Sequence, residues 1–317
     1  QITRLIEGKN YVEVEYVVGP VPIDDGVGKE IVSRYSSEIK SDGIFYTDSN
    51  GREFVKRKRG DSRVFGYDAG FNAELEPIAG NYYPVNAAIY LEDKSKNQAF
   101  SVVLDRSQGG SSLSDGSLEL LIQRRMLHDD ARGVGEALNE TDVGITPCPP
   151  HGDASRLGKG ITVKGTHRLV IGSNGASLAR SQMDEAFSQP HAFVASVPSD
   201  ANISFRKAGV SLSRTALNEN VMVVTYVPLE EEGSYLVRLA HQGIVDEEAY
   251  VDIQSLFFQN EVVSITEKTL SANQDRADWE KQRFRWGGKE KETGLDEATQ
   301  GIFLKPLEIK TFEVHVS

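Results

Sequence analysis

Apolar positions along this chain recur at every second residue far more often than at every third or fourth. In Tyr11–Val18, Val12, Val14 and Tyr16 alternate with Glu13 and Glu15, the period of a strand with one buried face and one charged face. Gly43–Tyr46 and Arg52–Val55 flank Asp48-Ser49-Asn50-Gly51, and because an Asn-Gly pair tolerates positive φ, a β-hairpin is predicted there. Further strands are predicted over Val85–Leu91, Ala99–Leu104, Ser117–Gln123, His167–Ile171, Val221–Val227, Tyr235–Ala240, Val262–Glu267 and Thr311–Val316. Turn clusters separate them, among them Ser107-Gln108-Gly109-Gly110-Ser111-Ser112 and Glu231-Glu232-Gly233-Ser234. Ser177–Phe187 and Ala272–Lys281 each read as a short helix without a long apolar stripe. Strand–helix alternation and fixed-period repeats are both missing, which argues against doubly wound, α/β-barrel and solenoid folds. The expectation is an all-β chain of sandwiches or barrels. A largely polar connector from Ser196 to Arg214 places a domain boundary near residue 210, giving units 1–210 and 211–317.

With 317 residues, 39% hydrophobic and 26% charged, the chain can bury a substantial core. Its 47 acidic against 35 basic residues give a net charge of −12, which disfavours a nucleic-acid partner needing clustered cations. The one basic run, Lys56-Arg57-Lys58-Arg59, reads as a solvated strand end. No apolar run approaches the ~20 residues of a membrane span, so no membrane partner is expected. The chain opens at Gln1 without a leader, which suggests that something upstream has been removed. Cys148 is the single cysteine and cannot form an internal disulfide. Sequons at Asn139-Glu140-Thr141 and Asn202-Ile203-Ser204 mark Asn139 and Asn202 as candidate glycosylation sites on a secretory route.

The densest polar cluster runs from Gln123 to Gly133 and contains Arg124, Arg125, His128, Asp129, Asp130 and Arg132. Alternation along the preceding strand carries Leu118, Leu120 and Ile122 to the same face as Arg124, while Arg125 shares the face of Glu119 and Gln123. A guanidinium's planar donors suit bidentate contact with carboxylates or paired sugar hydroxyls. Asp129 and Asp130 either clamp the arginines or accept from a sugar, and an ion-pair network that anchors a loop is the competing reading. His151-Gly152-Asp153 has the form of a metal-ligand pair, but no further ligands stand in register, so no metal site is expected in this chain. No phosphate-binding loop and no Gly-x-Ser-x-Gly elbow occur, so no catalytic residue is assigned.

Several blocks together resemble the C-terminal half of an α-mannosidase of glycoside hydrolase family 38. They are Val18–Gly26, Phe45–Arg52, Gly80–Asn86, Asp105–Ser112, Gly116–Leu120 and Arg124-Arg125 through Asp129-Asp130-Ala131-Arg132-Gly133-Val134, with an echo at Leu236–Gln242. The likeness is greater to acidic lysosomal or vacuolar members than to Golgi ones, and His241-Gln242-Gly243 departs from the lysosomal pattern, which has an aromatic after the Gln. The resemblance implies a large supersandwich-type β-sandwich followed by a smaller C-terminal β-sandwich. It implies a β-rich subunit of a retaining, zinc-dependent exoglycosidase that removes terminal α-linked mannose from N-glycans and oligosaccharides. The nucleophile and zinc would then sit in a separate N-terminal catalytic chain, so the partners implied are that large subunit, mannose-containing glycans and, further, a second heterodimer. Arg124 and Arg125 match the family arginine that reaches the sugar, with Asp129 and Asp130 beside them, in a vacuole or lysosome. The rival expectation is a non-catalytic carbohydrate-binding or structural β-sandwich module.

Overall fold

The computed structural model describes residues 1–60, 76–129, 131, 133, 135, 137–142, 159–187, 191–194, 196, 216–243, 248–257, 260–284, 295–296 and 301–317. The chain divides into two compact units, Gln1–Pro190 and His191–Ser317. The boundary expected near 210 falls in a stretch, 197–215, that lies outside the described residues.

In the first unit, β1 (Ile2–Leu5), β2 (Val12–Val18), β4 (Ile44–Ser49), β5 (Glu53–Lys58), β7 (Ala88–Asp93), β8 (Gln98–Leu104) and β11 (Val163–Gly172) form one antiparallel sheet in the order β1-β2-β11-β8-β7-β4-β5. A second sheet follows the order β3-β10-β9-β6, with β3 at Lys29–Ser36, β6 at Tyr83–Val85, β9 at Gln108–Ser111 and β10 at Ser117–Arg125. Between them lies a core of Phe45, Val85, Ile89, Leu91, Phe100, Val102, Leu104, Leu118 and Leu120. Strand alternation explains β8: Phe100, Val102 and Leu104 enter that core, while Val103 joins Ala88, Ala179 and Met183 on the opposite face. That opposite face is covered by α1 (Gly175–Phe187), whose start is pinned by a Ser101 hydroxyl donating to the Gly175 carbonyl at 3.0 Å. Helix and sheet meet so closely that a Cβ at Gly175 would stand 2.2 Å from the Tyr90 ring. β8 is therefore buried on both sides.

The hairpin read from Asn50-Gly51 is present as β4 and β5, with φ of 54° and 68° at those two residues, both in the left-handed region that such a turn requires. β1, β3 and β9 were not expected, and the one strand expected over Val85–Leu91 is split into β6 and β7. Lys29–Ser36 is a strand although its inward positions, Ile31, Ser33 and Tyr35, are only partly apolar. Gln108–Ser111, read as a turn, is β9, whose glycines serve packing: a Cβ at Gly110 would stand 2.6 Å from the Val85 side chain.

In the second unit, β12 (Val221–Pro228), β13 (Ser234–His241), β15 (Val262–Lys268) and β18 (Ile309–Val316) form a sheet in the order β12-β13-β18-β15. β14 (Ala249–Asp252), β16 (Leu295–Asp296) and β17 (Gly301–Leu304) form another in the order β14-β17-β16. Val237, Leu239, Val251, Ile253, Ile302, Leu304, Phe312 and Val314 make its core. One short helix, α2 (Arg276–Gln282), overlaps the expected segment Ala272–Lys281, starting four residues later and ending one residue beyond it. The architecture is the expected all-β one, a larger sandwich followed by a smaller. No helix among the described residues is long and apolar enough to cross a membrane.

Candidate functional site

Arg124 and Arg125 are the last two residues of β10, and a change of register decides where each one points. Pairing with β3 runs from Ser117↔Ser36 to Leu121↔Val32 and resumes at Gln123↔Ile31, so Ile122 is an extra residue in the strand. A bulge of this kind shifts the alternation of every side chain beyond it. Arg125 consequently falls on the buried side with 7% of its surface exposed, and Arg124 is the exposed one. The expectation that Arg124 shares the buried face of Leu118 and Leu120 is therefore corrected, the cause being Ile122.

Arg125 is built into the scaffold. Its Nη1 donates to the Val21 carbonyl at 3.0 Å. A Cβ on Gly160 would come within 2.8 Å of the same nitrogen, so the backbone there lies directly against the guanidinium. Its buried Nε meets no acceptor among the described residues. The neighbouring Gln123 donates to the Ile161 carbonyl at 2.7 Å. Together these side chains tie the 19–23 and 160–161 segments to the end of β10.

Among the described residues Arg124 is held only by Glu30, at 3.3 Å, with the two side chains 45% and 43% exposed. Exposed pairs of this kind are worth about 0–1 kcal/mol, so the guanidinium can exchange Glu30 for another acceptor at little cost. Asp129 closes a turn, accepting from the Ala131 N–H at 2.9 Å, where Ala131 has a φ of 57°. Among the described residues no ion pair joins Asp129 to either arginine. Asp130 and Arg132 lie outside the described residues, as do His151, Asp153, Cys148 and Asn202. Asn139 is buried, at 8% exposure. The basic run is only partly a solvated end: Arg57 donates to Thr47 at 3.0 Å with its guanidinium over the Tyr83 ring, and Arg59 reaches the Ser112 carbonyl at 3.2 Å.

A second polar constellation was not legible, because its members lie far apart in sequence. His167, fully buried on β11, is 2.9 Å from the Tyr35 hydroxyl through Nδ1 and 2.8 Å from Gln108 Oε1 through Nε2. The carbonyl oxygen of Gln108 can only accept, so Nε2 carries the proton and Nδ1 accepts from Tyr35. Gln108 then donates to the Tyr16 hydroxyl at 3.0 Å. Burial pushes the imidazole down to about 4 and the Tyr35 phenol up to about 12, so both groups are neutral near pH 7. The available signal was the Asp105–Ser112 block, whose single glutamine lies on β9 rather than in a turn.

Metal-ligand chemistry among the described residues gathers at Glu231, Glu313 and His315. The Glu313 carboxylate is already engaged by Lys268 at 2.7 Å, and His315 Nδ1 lies 2.9 Å from the Ser234 hydroxyl. A lysine ammonium on a ligand carboxylate does not suit a catalytic zinc, so this group does not fit the metal that the family resemblance implies.

Residues 1–132 match the model of the glycosyl hydrolases family 38 C-terminal domain. The chain is 39% identical to an alpha-mannosidase of Arabidopsis thaliana, covering 98% of this chain and 30% of that protein. It is 34% identical to an alpha-mannosidase of Canavalia ensiformis, over 98% of this chain and 32% of that one. Against the lysosomal alpha-mannosidase of Homo sapiens it is also 34% identical, over 98% of this chain and 30% of that one. The chain thus spans about a third of the length of these relatives. A crystal structure of a protein in glycosyl hydrolase family 38 from Enterococcus faecalis shares the fold, with a TM-score of 0.58 at 14% identity over 98% of this chain and 29% of that one.

Proposed function

We propose that the chain, whose residues 1–132 match the C-terminal domain of the glycosyl hydrolases of family 38, belongs to that family and is the β-rich portion of an α-mannosidase. The observation that carries this reading is similarity to proteins named alpha-mannosidase over 98% of the chain, not over a single motif. In this reading the nucleophile and the zinc belong to a separate N-terminal catalytic chain, and the enzyme removes terminal α-linked mannose with retention. Retaining hydrolysis needs two carboxyl groups about 5–5.5 Å apart, and zinc, when bound, steadies sugar hydroxyls as charge develops on the ring.

The part played by this chain is positioning. Arg124, at the exposed end of β10 and weakly held by Glu30, is the guanidinium able to donate to a sugar's paired hydroxyl oxygens. Arg125 sets the strand end from beneath, through Val21 and the backbone of Gly160. Asp129 shapes the turn that follows. Lysosomal relatives and the chain's net charge of −12 support an acidic compartment, a lysosome or vacuole. With Asn139 buried, Asn202 is the sequon proposed to carry a glycan.

Co-expression of this chain with the catalytic region that precedes it in a relative, assayed on an aryl α-mannoside, tests the reading. Activity is expected only from the pair, and Arg124→Ala is expected to lower kcat/KM about tenfold or more without loss of assembly. A pair that assembles yet binds glycans without hydrolysing them supports the rival, a carbohydrate-binding module. Zinc analysis of the chain alone is expected to give no stoichiometric metal.

A further inference from the structure

Glu267 is an ionisable group on the core side of the second unit. On β15 it stands opposite Phe312 of β18, just as Ile265 stands opposite Val314, and both partners are fully buried. Residues directly opposite each other in an antiparallel pair share a face, so Glu267 is directed inward with them. Among the described residues its carboxylate makes no hydrogen bond and no ion pair. Four charged groups surround it at longer range. Lys310, buried two residues before Phe312, and Glu308 act from β18 and the turn before it, while Arg276 and Glu280 act from α2, which packs against β15. Burial pushes the carboxyl above its ordinary value; Lys310 and Arg276 pull it down, and Glu308 and Glu280 push it up.

The helix above this group is lightly attached. α2 has seven residues, none of them fully buried. Isolated helices shorter than about 12 residues are marginal in water, so α2 depends on what lies beneath it. Its approach is anchored: Lys268 Nζ lies 2.7 Å from Asp275 Oδ1, and Thr269 N–H donates to the Gln274 carbonyl at 3.0 Å. Beyond it, Arg283 and Phe284 are exposed. The helix thus has a fixed end at Asp275 and a weakly buried body that carries Trp279 between the guanidinium groups of Arg276 and Arg283, at 4.6 and 5.0 Å.

We propose that α2 is a clasp closed by acid: protonated Glu267 lets the helix seat on β15, and ionised Glu267 loosens it about the anchor at Asp275. A carboxylate without a hydrogen-bond donor is costly to cover, and swinging α2 away returns it to water. The sign follows from the proton balance. The seated form holds the proton more tightly than the open form, so seating is fully favoured below the ordinary value of 4.5 and is lost as pH rises through the raised one. The inference concerns the second unit alone and does not rest on the mannosidase reading, so a failed hydrolysis assay leaves it standing.

The test uses the full chain carrying Trp286→Phe, so that Trp279 is the single tryptophan and travels with α2. Between about pH 4 and pH 7.5 its emission is expected to shift reversibly to the red, with far-UV circular dichroism showing the strands intact. Glu267→Gln, which keeps the shape and removes the charge, is expected to abolish the shift and hold the acid spectrum throughout. Lys310→Gln removes a cation that favours the ionised form and is expected to move the midpoint to higher pH. Hydrogen exchange, corrected for its intrinsic pH dependence, is expected to show about threefold or greater loss of protection at the Trp279 and Arg283 amides on neutralisation in the parent and none in Glu267→Gln. A parent without the shift, a shift of equal size in Glu267→Gln, or a midpoint lowered by Lys310→Gln would each overturn the proposal.

Discussion

The two units bury different chemistry. The first encloses Asp48, Glu119, Arg125, His167 and Arg180 within or beneath its sheets. The second packs an apolar cluster from Val221 to Val314, with His241 and Lys310 as its buried titratable side chains among the described residues. Buried polar groups are costly unless paired, so a unit that keeps many of them has a use for fixed directions rather than for added stability. Asp48 shows how the cost is met: its carboxylate accepts from the N–H groups of Gly51, Ala87 and Ala88 at 2.8, 2.8 and 2.9 Å, locking the hairpin to β7. The candidate arginines belong to the first unit, the one with this fixed polar interior.

Truncation inside the apolar unit should cut deepest. Phe312→Ala, at a fully buried position, is expected to lower the stability of the second unit by about 3–5 kcal/mol. Both tryptophans, Trp279 and Trp286, lie in that unit, so denaturant unfolding followed by tryptophan fluorescence isolates it. A loss below about 1 kcal/mol would erase the contrast drawn between the units.

Next comes acid. His167 titrates at about 4 when folded, against about 6.5 in an unfolded chain, so the unfolded state takes up the proton first. Its contribution to stability is complete above pH ~6.5 and is lost as pH falls towards 4, by up to about 3 kcal/mol. Unfolding of the first unit at stepped pH, followed by tyrosine near-UV circular dichroism, should show this slope, and His167→Gln should flatten it. An unchanged slope in the variant would mean that other groups set the acid limit.

The two arginines should separate most finely. Arg125→Ala strands the Val21 carbonyl and is expected to cost about 1–3 kcal/mol. Arg124→Ala removes only an exposed pair and is expected to change stability by less than about 0.5 kcal/mol. Equal losses in paired melts would contradict the assignment of one to scaffold and the other to reach.

Much of this was legible beforehand. Alternation located β2, β8, β10 and β13, and Asn50-Gly51 gave the hairpin, because each signal is local. Strand β3 escaped because Ser33 interrupts its apolar face, and β9 because glycines used for close packing look like turn glycines. The arginine pair was visible as a cluster, but its orientation was not, since nothing in residue type announces a bulge at Ile122. One juxtaposition was hidden for another reason: Gly80–Asn86 and Asp105–Ser112 each stood out as a block, yet only the pairing of Tyr83 with Gly110 and Val85 with Gln108 unites them.

One inserted residue is thus absorbed by the strand like a slipped stitch. Remove Ile122, and Leu120, Leu121, Gln123, Arg124 and Arg125 would alternate without a break, with Arg124 still opposite Glu30 and Arg125 still opposite Lys29. A single-codon deletion leaves both guanidinium groups on their present sides, whereas drawing Ile122 into regular pairing would exchange them.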